Sequence, residues 1–366
     1  MMCFRVALLK RAVFAGVAGA AFLSFLSSPF SSSIAFAADA DKAAKEGVVN
    51  IYSYRQPYLI NPLLEAFTKK TGVKTKVIFA KKGLIERVVQ EGKLSPADVM
   101  LMVDIGRLTN AVDKGIAQPV QSGVLETNIP AGYRSAANDW FGLTVRSRVI
   151  YASKDRVKQD AITYEELADP KWRGKICVRP GQHVYNVAMI ASMIKHHGKD
   201  WTKKWLEGVK ANLARKPSGN DRAQVKAVYA GQCDLAIGNT YYMGKMQLNE
   251  KKPEQKKWAA SVKILFPNSE TRGAHVNLSG MVLAKHAPNK ANAIKLMEFL
   301  SSDEAQKIYA EVNHEYPVKS GVAWSDLVKS WGTFKADPVA LDEIAKLRKQ
   351  AVNLVDETNF NAGPSS

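Results

Sequence analysis

The chain has 366 residues, 52 Lys and Arg against 34 Asp and Glu, a formal charge of +18, 46% hydrophobic residues and three cysteines. That composition belongs to an ordinary globular protein and excludes a disordered, collagen-like or disulfide-framework chain. The length exceeds the roughly 250–300 residues at which one core stops growing, so two domains with a cleft between them are expected.

The first forty residues stand apart from the fold. Arg5, Lys10 and Arg11 form a basic start, Ala12 to Leu26 is an apolar run, and Ala35-Phe36-Ala37 is a small-x-small cleavage site, the three parts of a secretory signal. An apolar run of about fifteen residues is short of the roughly 20 that span a bilayer, so residues 1–37 read as a signal peptide cleaved near Ala37 rather than as an anchor. Cys3 precedes the apolar run, which argues against lipidation. Export and the lack of any block of like charges argue against a nucleic-acid partner, and the basic excess reads as solubility and attraction to an anionic envelope surface. Cys177 and Cys233 are delivered to an oxidising compartment, where one bridge between them is expected.

From Val48 onward, short apolar runs alternate with amphipathic stretches, an α/β rhythm. Val48 to Tyr54 reads as a strand, and Asn61-Pro62 as the start of a helix that buries Leu63, Leu64 and Phe67 and stops at Gly72. A strand follows at Val73 to Phe79, a helix at Gly83 to Glu91, a strand buried on both faces at Ala97 to Val103, and a helix from Asp104 to Lys114. After Trp140 come a long strand, Phe141 to Tyr151, a capping box at Thr163-Tyr164-Glu165-Glu166, and a strand at Lys175 to Val178. Helices are expected at Asn186 to His196, Trp201 to Leu213 and Asp221 to Ala230, then a strand at Asp234 to Gly238, a helix at Tyr241 to Gln247 and a strand at Val262 to Phe266. His275 to Ala284 is a strand crossing back, followed by helices at Asn289 to Leu300, Asp303 to Val312 and Leu341 to Val355.

A discontinuous α/β chain that crosses twice between halves fits a two-lobe solute-binding protein of the Venus-flytrap type, with two mixed sheets flanked by helices. The first lobe takes 38–143 and 275–318, the second 144–274, and 319–366 forms a C-terminal helical segment. Ligands of open α/β sheets sit beyond the carboxyl ends of strands, which directs attention to the loops at Ser53 to Tyr58, Arg146 to Arg148, Arg179 to Tyr185 and Gly238 to Tyr242.

The sharpest of these is Gly238-Asn239-Thr240-Tyr241-Tyr242. In a continuing strand the two tyrosines would point to opposite faces. At a strand-to-helix turn with Asn239 or Thr240 as N-cap, both phenols can face one point; the plainer alternative packs one in the core and leaves the other at the surface. Tyr185, in Gln182-His183-Val184-Tyr185-Asn186, also opens a helix and can join them. Three phenolates make a hard, oxygen-only site suited to a trivalent cation such as ferric iron, with zinc and copper favouring nitrogen and sulfur. Arg55 and Arg148 offer planar donor forks for a bidentate anion in the remaining positions, although a surface ion pair is the commoner fate of an arginine.

These residues resemble those of the periplasmic ferric-iron-binding proteins of bacterial ABC transporters, which share a transferrin-like two-lobe fold. The resemblance runs from about Val48 to Val318 and is carried by GNTYYMGKM, GQHVYN, SPADVMLMVDIGRL, WFGLTVRSRVIY and NHEYPV. It implies that Tyr185, Tyr241 and Tyr242 hold Fe3+, that Arg55 and Arg148 hold a synergistic anion such as carbonate, and that a monomer in the periplasm delivers iron to an ABC permease of the inner membrane. The first loop departs from members that place a His or a His-Tyr pair there, since this chain has Gln56 and Pro57. Others use a Glu after the third strand, where Val103 and Asp104 stand. Tyr54 or Tyr58 is then the extra ligand that the first lobe can supply, with Tyr58 the choice. No H-E-x-x-H, G-x-S-x-G or phosphate-binding loop supports an enzyme. The competing readings are a binder of an anion or small organic solute on the same fold, and an exported enzyme.

Overall fold

The computed structural model describes residues 47–364; the signal peptide and its cleavage site lie outside the described residues. Among the described residues ten strands are formed: β1 (Val48–Ser53), β2 (Lys74–Phe79), β3 (Val99–Val103), β4 (Ala117–Gln118), β5 (Phe141–Ser153), β6 (Ile176–Cys177), β7 (Leu235–Asn239), β8 (Val262–Leu265), β9 (Val276–Ala284) and β10 (Tyr316–Pro317). They pair as a mixed sheet along the path β2-β1-β3-β9-β5-β7-β6, and helices flank them, as the α/β rhythm predicts. β1 is parallel to β2 and β3, while β3, β9, β5 and β7 are antiparallel in turn.

β5 is the spine. All thirteen of its residues are buried. Its first half, Phe141 to Ser147, registers on β9, and its second half, from Arg148, registers on β7 and β8. A strand buried along its whole length has both of its faces covered. One consequence is that Arg146 and Arg148, in the middle of this strand, are 1% and 2% exposed.

Several boundaries differ from the sequence reading for physical reasons. The first helix spans Pro57–Thr71 with Pro57 at its start and Pro62 inside it. Pro62 removes the hydrogen bond to the carbonyl of Tyr58, a residue at the exposed entry of the helix. The capping box yields only a 3₁₀ turn, Glu165–Ala168. Thr163 does accept from the Glu166 amide at 3.1 Å, but the Glu166 carboxylate turns outward to Lys171. The last expected helix is broken at Leu347 into Leu341–Lys346 and Arg348–Glu357; both pack on the helix Val184–His197. A short helix at Glu254–Ala260 has no counterpart in the sequence reading.

The expected bridge is present: Cys177 on β6 and Cys233 just ahead of β7 form a disulfide with Cα atoms 6.0 Å apart. No helix among the described residues is long and apolar enough to cross a membrane.

Candidate metal centre

β7 ends at Asn239 and the chain turns directly into the helix Tyr241–Gln247, with Tyr241 and Tyr242 as its first two residues. Thr240 holds the N-cap position without a side-chain cap. Its hydroxyl instead accepts from the Ser147 amide at 3.3 Å and its amide donates to the Ser147 carbonyl at 3.0 Å, so the turn is riveted to β5. Further along, Gly244 lies against His314, where an added Cβ would come within 2.7 Å of the ring. Only glycine lets this short helix dock so closely.

The third tyrosine arrives from another strand end. The helix Val184–His197 is capped by His183, whose ring accepts from the Tyr185 amide at 3.3 Å. Burial, followed by repulsion from Arg179 and Arg148, lowers the pKa of His183 to about 3. The ring is therefore neutral at physiological pH and free to accept.

The structure brings the three tyrosines together. The Tyr241 hydroxyl donates to the Tyr185 hydroxyl at 3.1 Å, and the Tyr241 and Tyr242 rings lie 4.4 Å apart. With Tyr58, Arg55, Arg222, Lys245 and Glu315 they line a cavity of about 200 Å³. Burial, then the neighbouring Tyr185 and Tyr242, push the phenol of Tyr241 well above its ordinary value; burial and then Asp221 raise Tyr242 to about 12. Both are protonated at neutral pH, and a cation entering between them must displace those protons.

Cations surround the phenols. The guanidinium carbons of Arg179, Arg146 and Arg148 lie 5.2, 5.7 and 6.0 Å from the Tyr185 ring centre, within cation–π range. Lys245, one helical turn after Tyr241, holds its ammonium 4.8 Å from that ring. Burial lowers its pKa to about 8, with Glu315 opposing the shift and Arg55 and Arg222 reinforcing it.

The remaining sequence candidates separate. Tyr58 is 60% exposed and lines the cavity at its rim. Tyr54 also lines it, but its hydroxyl accepts from the Ile85 amide at 3.0 Å and its ring carries the Arg107 guanidinium. Arg55 faces the cavity while its guanidinium is held by Glu315, Ser279 and Thr144. Arg148 is absent from the cavity wall. Its two terminal nitrogens donate to Asp221 at 2.7 Å, Asn186 at 2.6 Å and Asn239 at 3.1 Å, so it braces the strand ends that carry the tyrosines. Val103 lines the cavity, whereas Asp104 turns away to cap its helix and to accept from Asn277 and Arg348.

Sequence reasoning missed Asp221, Glu315, Lys245 and Arg222. Lys245 had a legible signal, its four-residue spacing from Tyr241 on one helix face. Asp221 had none, because its partners Arg148 and Arg179 are distant in sequence. A larger groove of about 360 Å³, between Trp140, Asp113 and the helix Leu341–Lys346, holds none of the tyrosines.

Residues 52–307 match the family described as bacterial extracellular solute-binding protein. Among curated relatives, iron uptake protein A1 of Synechocystis sp. is 43% identical over 96% of this chain and 99% of its own. Among solved structures, the apo ferric ion-binding protein A of Pasteurella haemolytica is 56% identical, with a TM-score of 0.81 over 86% of this chain and 98% of its own. A Trichodesmium protein solved in complex with iron and citrate ligands is 44% identical, with a TM-score of 0.83 over 86% of this chain and 100% of its own.

Proposed function

The chain belongs to the bacterial extracellular solute-binding proteins, and we propose from that premise that it captures ferric iron and delivers it to an ABC permease. The role is binding and transport, not catalysis. The observation that carries this reading is the 3.1 Å contact between the Tyr241 and Tyr185 hydroxyls beside the Tyr242 ring, inside a cavity whose wall is rich in cations. Three phenolates offset three ferric charges, and a hard anionic oxygen set selects Fe3+ over softer metals.

In this reading Tyr185, Tyr241 and Tyr242 bind the ion, and Tyr58 at the rim adds an oxygen when the cavity closes. The division of β5 between two groups of partner strands supports a two-lobe arrangement, with 38–143 and 275–318 in one lobe and 144–274 in the other. Closure then comes from an ion that contacts both sides. Arg55 lends positive potential to a synergistic anion such as carbonate. The anion role expected of Arg148 passes to cations that face the cavity. The signal in residues 1–37 supports export to the periplasm, where the protein acts as a monomer.

The test is metal retention. Apo protein incubated with ferric, ferrous, zinc or cupric salts plus bicarbonate, then desalted, should retain about one ferric ion per chain, with far less zinc or copper. Retention of zinc or copper in preference to ferric iron would contradict this reading.

A further inference from the structure

We propose that Arg348, at the start of the C-terminal helix Arg348–Glu357, clasps two walls of the metal cavity together and is the positioning residue that sets how fast bound iron leaves. The proposal rests on the ferric reading above and deepens it, from which residues hold the ion to what governs its release.

The C-terminal segment reaches both walls. It grips the turn that presents Tyr185, where Asn361 accepts from the Gly181 amide at 2.7 Å and Asp356 accepts from the Gln182 side chain at 2.6 Å. A Cβ on Gly181 would fall 2.7 Å from Val355, so the turn lies directly against the helix. Across the cavity, Arg348 donates to the Asp104 carboxylate at 3.0 Å, and the same terminal nitrogen reaches the Val184 carbonyl at 3.5 Å. Asp104 follows Val103 and Val184 precedes Tyr185, and Val103 and Tyr185 both line the cavity. One guanidinium thus joins the neighbours of two wall residues. The helix Leu341–Lys346 makes the same span, packing on Ile105–Asp113 as well as on Val184–His197.

The socket for this guanidinium is built on the Asp104 side. Asp104 is wholly buried and has φ at 95°, a backbone conformation that a non-glycine residue keeps only where its surroundings hold it. The Gly106 amide and Asn277 donate to its carboxylate alongside Arg348. Gly106 completes the socket, because a Cβ there would fall 2.1 Å from Nε of Arg348. Any side chain at 106 displaces the guanidinium. A charge-assisted bond is roughly twice as strong as a neutral one, and parting the Val103 and Tyr185 walls breaks it. Iron leaves when those walls part, so the clasp adds to the barrier for release.

The test follows transfer of ferric iron from the loaded mature protein to an excess of a competing chelator, read as decay of the visible band. Arg348→Gln and Gly106→Ala break the clasp from opposite ends, the second without removing a charge. Each should speed release by at least about tenfold, as loss of a charged hydrogen bond implies. Arg348→Lys, which can still pair with Asp104, should fall between these variants and the wild type. The band maximum should stay in place in all three, since the tyrosine oxygens are untouched. Phe67→Leu, in the buried contact with Phe299, lowers stability away from the cavity and should release iron at the wild-type rate. Unchanged release in either clasp-breaking variant, a shifted band, or equally fast release in Phe67→Leu would each overturn the proposal. A wild type that takes up no ferric iron would overturn the ferric reading itself, and the clasp with it.

Discussion

The Tyr241 hydroxyl hydrogen-bonds to the Tyr185 hydroxyl at 3.1 Å, although the two residues are 56 positions apart and open different helices. As neutral phenols they are joined by this one hydrogen bond. As phenolates at that distance they repel, and only a cation between them makes double ionisation favourable. Replacing Tyr241 or Tyr242 by Phe keeps the ring and removes the oxygen. Each change should weaken ferric binding by more than about a hundredfold, beyond the loss typical of outer-shell changes, as read by competition with a calibrated chelator. Tyr58→Phe should cost less, because Tyr58 stands at the exposed rim.

Acid should release the metal. The phenols of Tyr241 and Tyr242 sit above their ordinary value, Tyr242 at about 12, chiefly through burial. Throughout the neutral range they are protonated in the empty protein, so each must lose a proton when iron binds. Lower pH therefore favours the empty form. With iron activity held fixed by a metal buffer, affinity should fall by at least about a hundredfold per pH unit from pH 8 to 6, a factor of ten for each of these two phenols. A flat profile would show that these oxygens do not bind as phenolates.

Asp221 anchors the site from below. Wholly buried, it accepts from Arg148 at 2.7 Å, Arg179 at 2.9 Å and the Asn239 amide at 2.9 Å. Asp221→Asn leaves two buried guanidinium groups without their counter-charge, a change that costs about 3–5 kcal/mol when a buried pair is broken. The urea midpoint should drop accordingly. A drop below about 1 kcal/mol, the worth of an exposed pair, would mean that water reaches this cluster.

The Cys177–Cys233 bridge ties β6 to the start of β7, the two strands that lead toward the helices presenting the tyrosines. Removing it with a Cys177→Ser, Cys233→Ser pair should lower stability by about 2–4 kcal/mol, measured by denaturant unfolding. Reducing agent should lower the wild type toward the variant and leave the variant where it is.

What the sequence made legible was local. A tyrosine pair at a strand end, a Pro or Gly at a helix edge and an unbroken apolar run such as Val99 to Val103 each declare themselves within a few residues, and Tyr185, Tyr241 and Tyr242 converge as their turns suggested. What stayed hidden was pairing across the chain. Arg148 looked like an anion fork because nothing near it in sequence shows that Asp221 and Asn186 occupy it. Arg55 is likewise bound to Glu315, 260 residues away. The Thr163 box failed as a helix start because the Glu166 side chain found Lys171 instead of its own cap.

Visible absorption during ferric titration tests the central claim most directly, since a phenolate-to-ferric charge-transfer band arises only when tyrosine oxygens bind the ion. Adding ferric citrate with bicarbonate to the colourless apo protein should raise a band that saturates at about one ion per chain, and the band should shift and weaken in the Tyr241→Phe and Tyr242→Phe variants. A protein that stays colourless under these conditions, or variants with the unaltered wild-type band and affinity, would contradict the assignment of these tyrosines as the iron site.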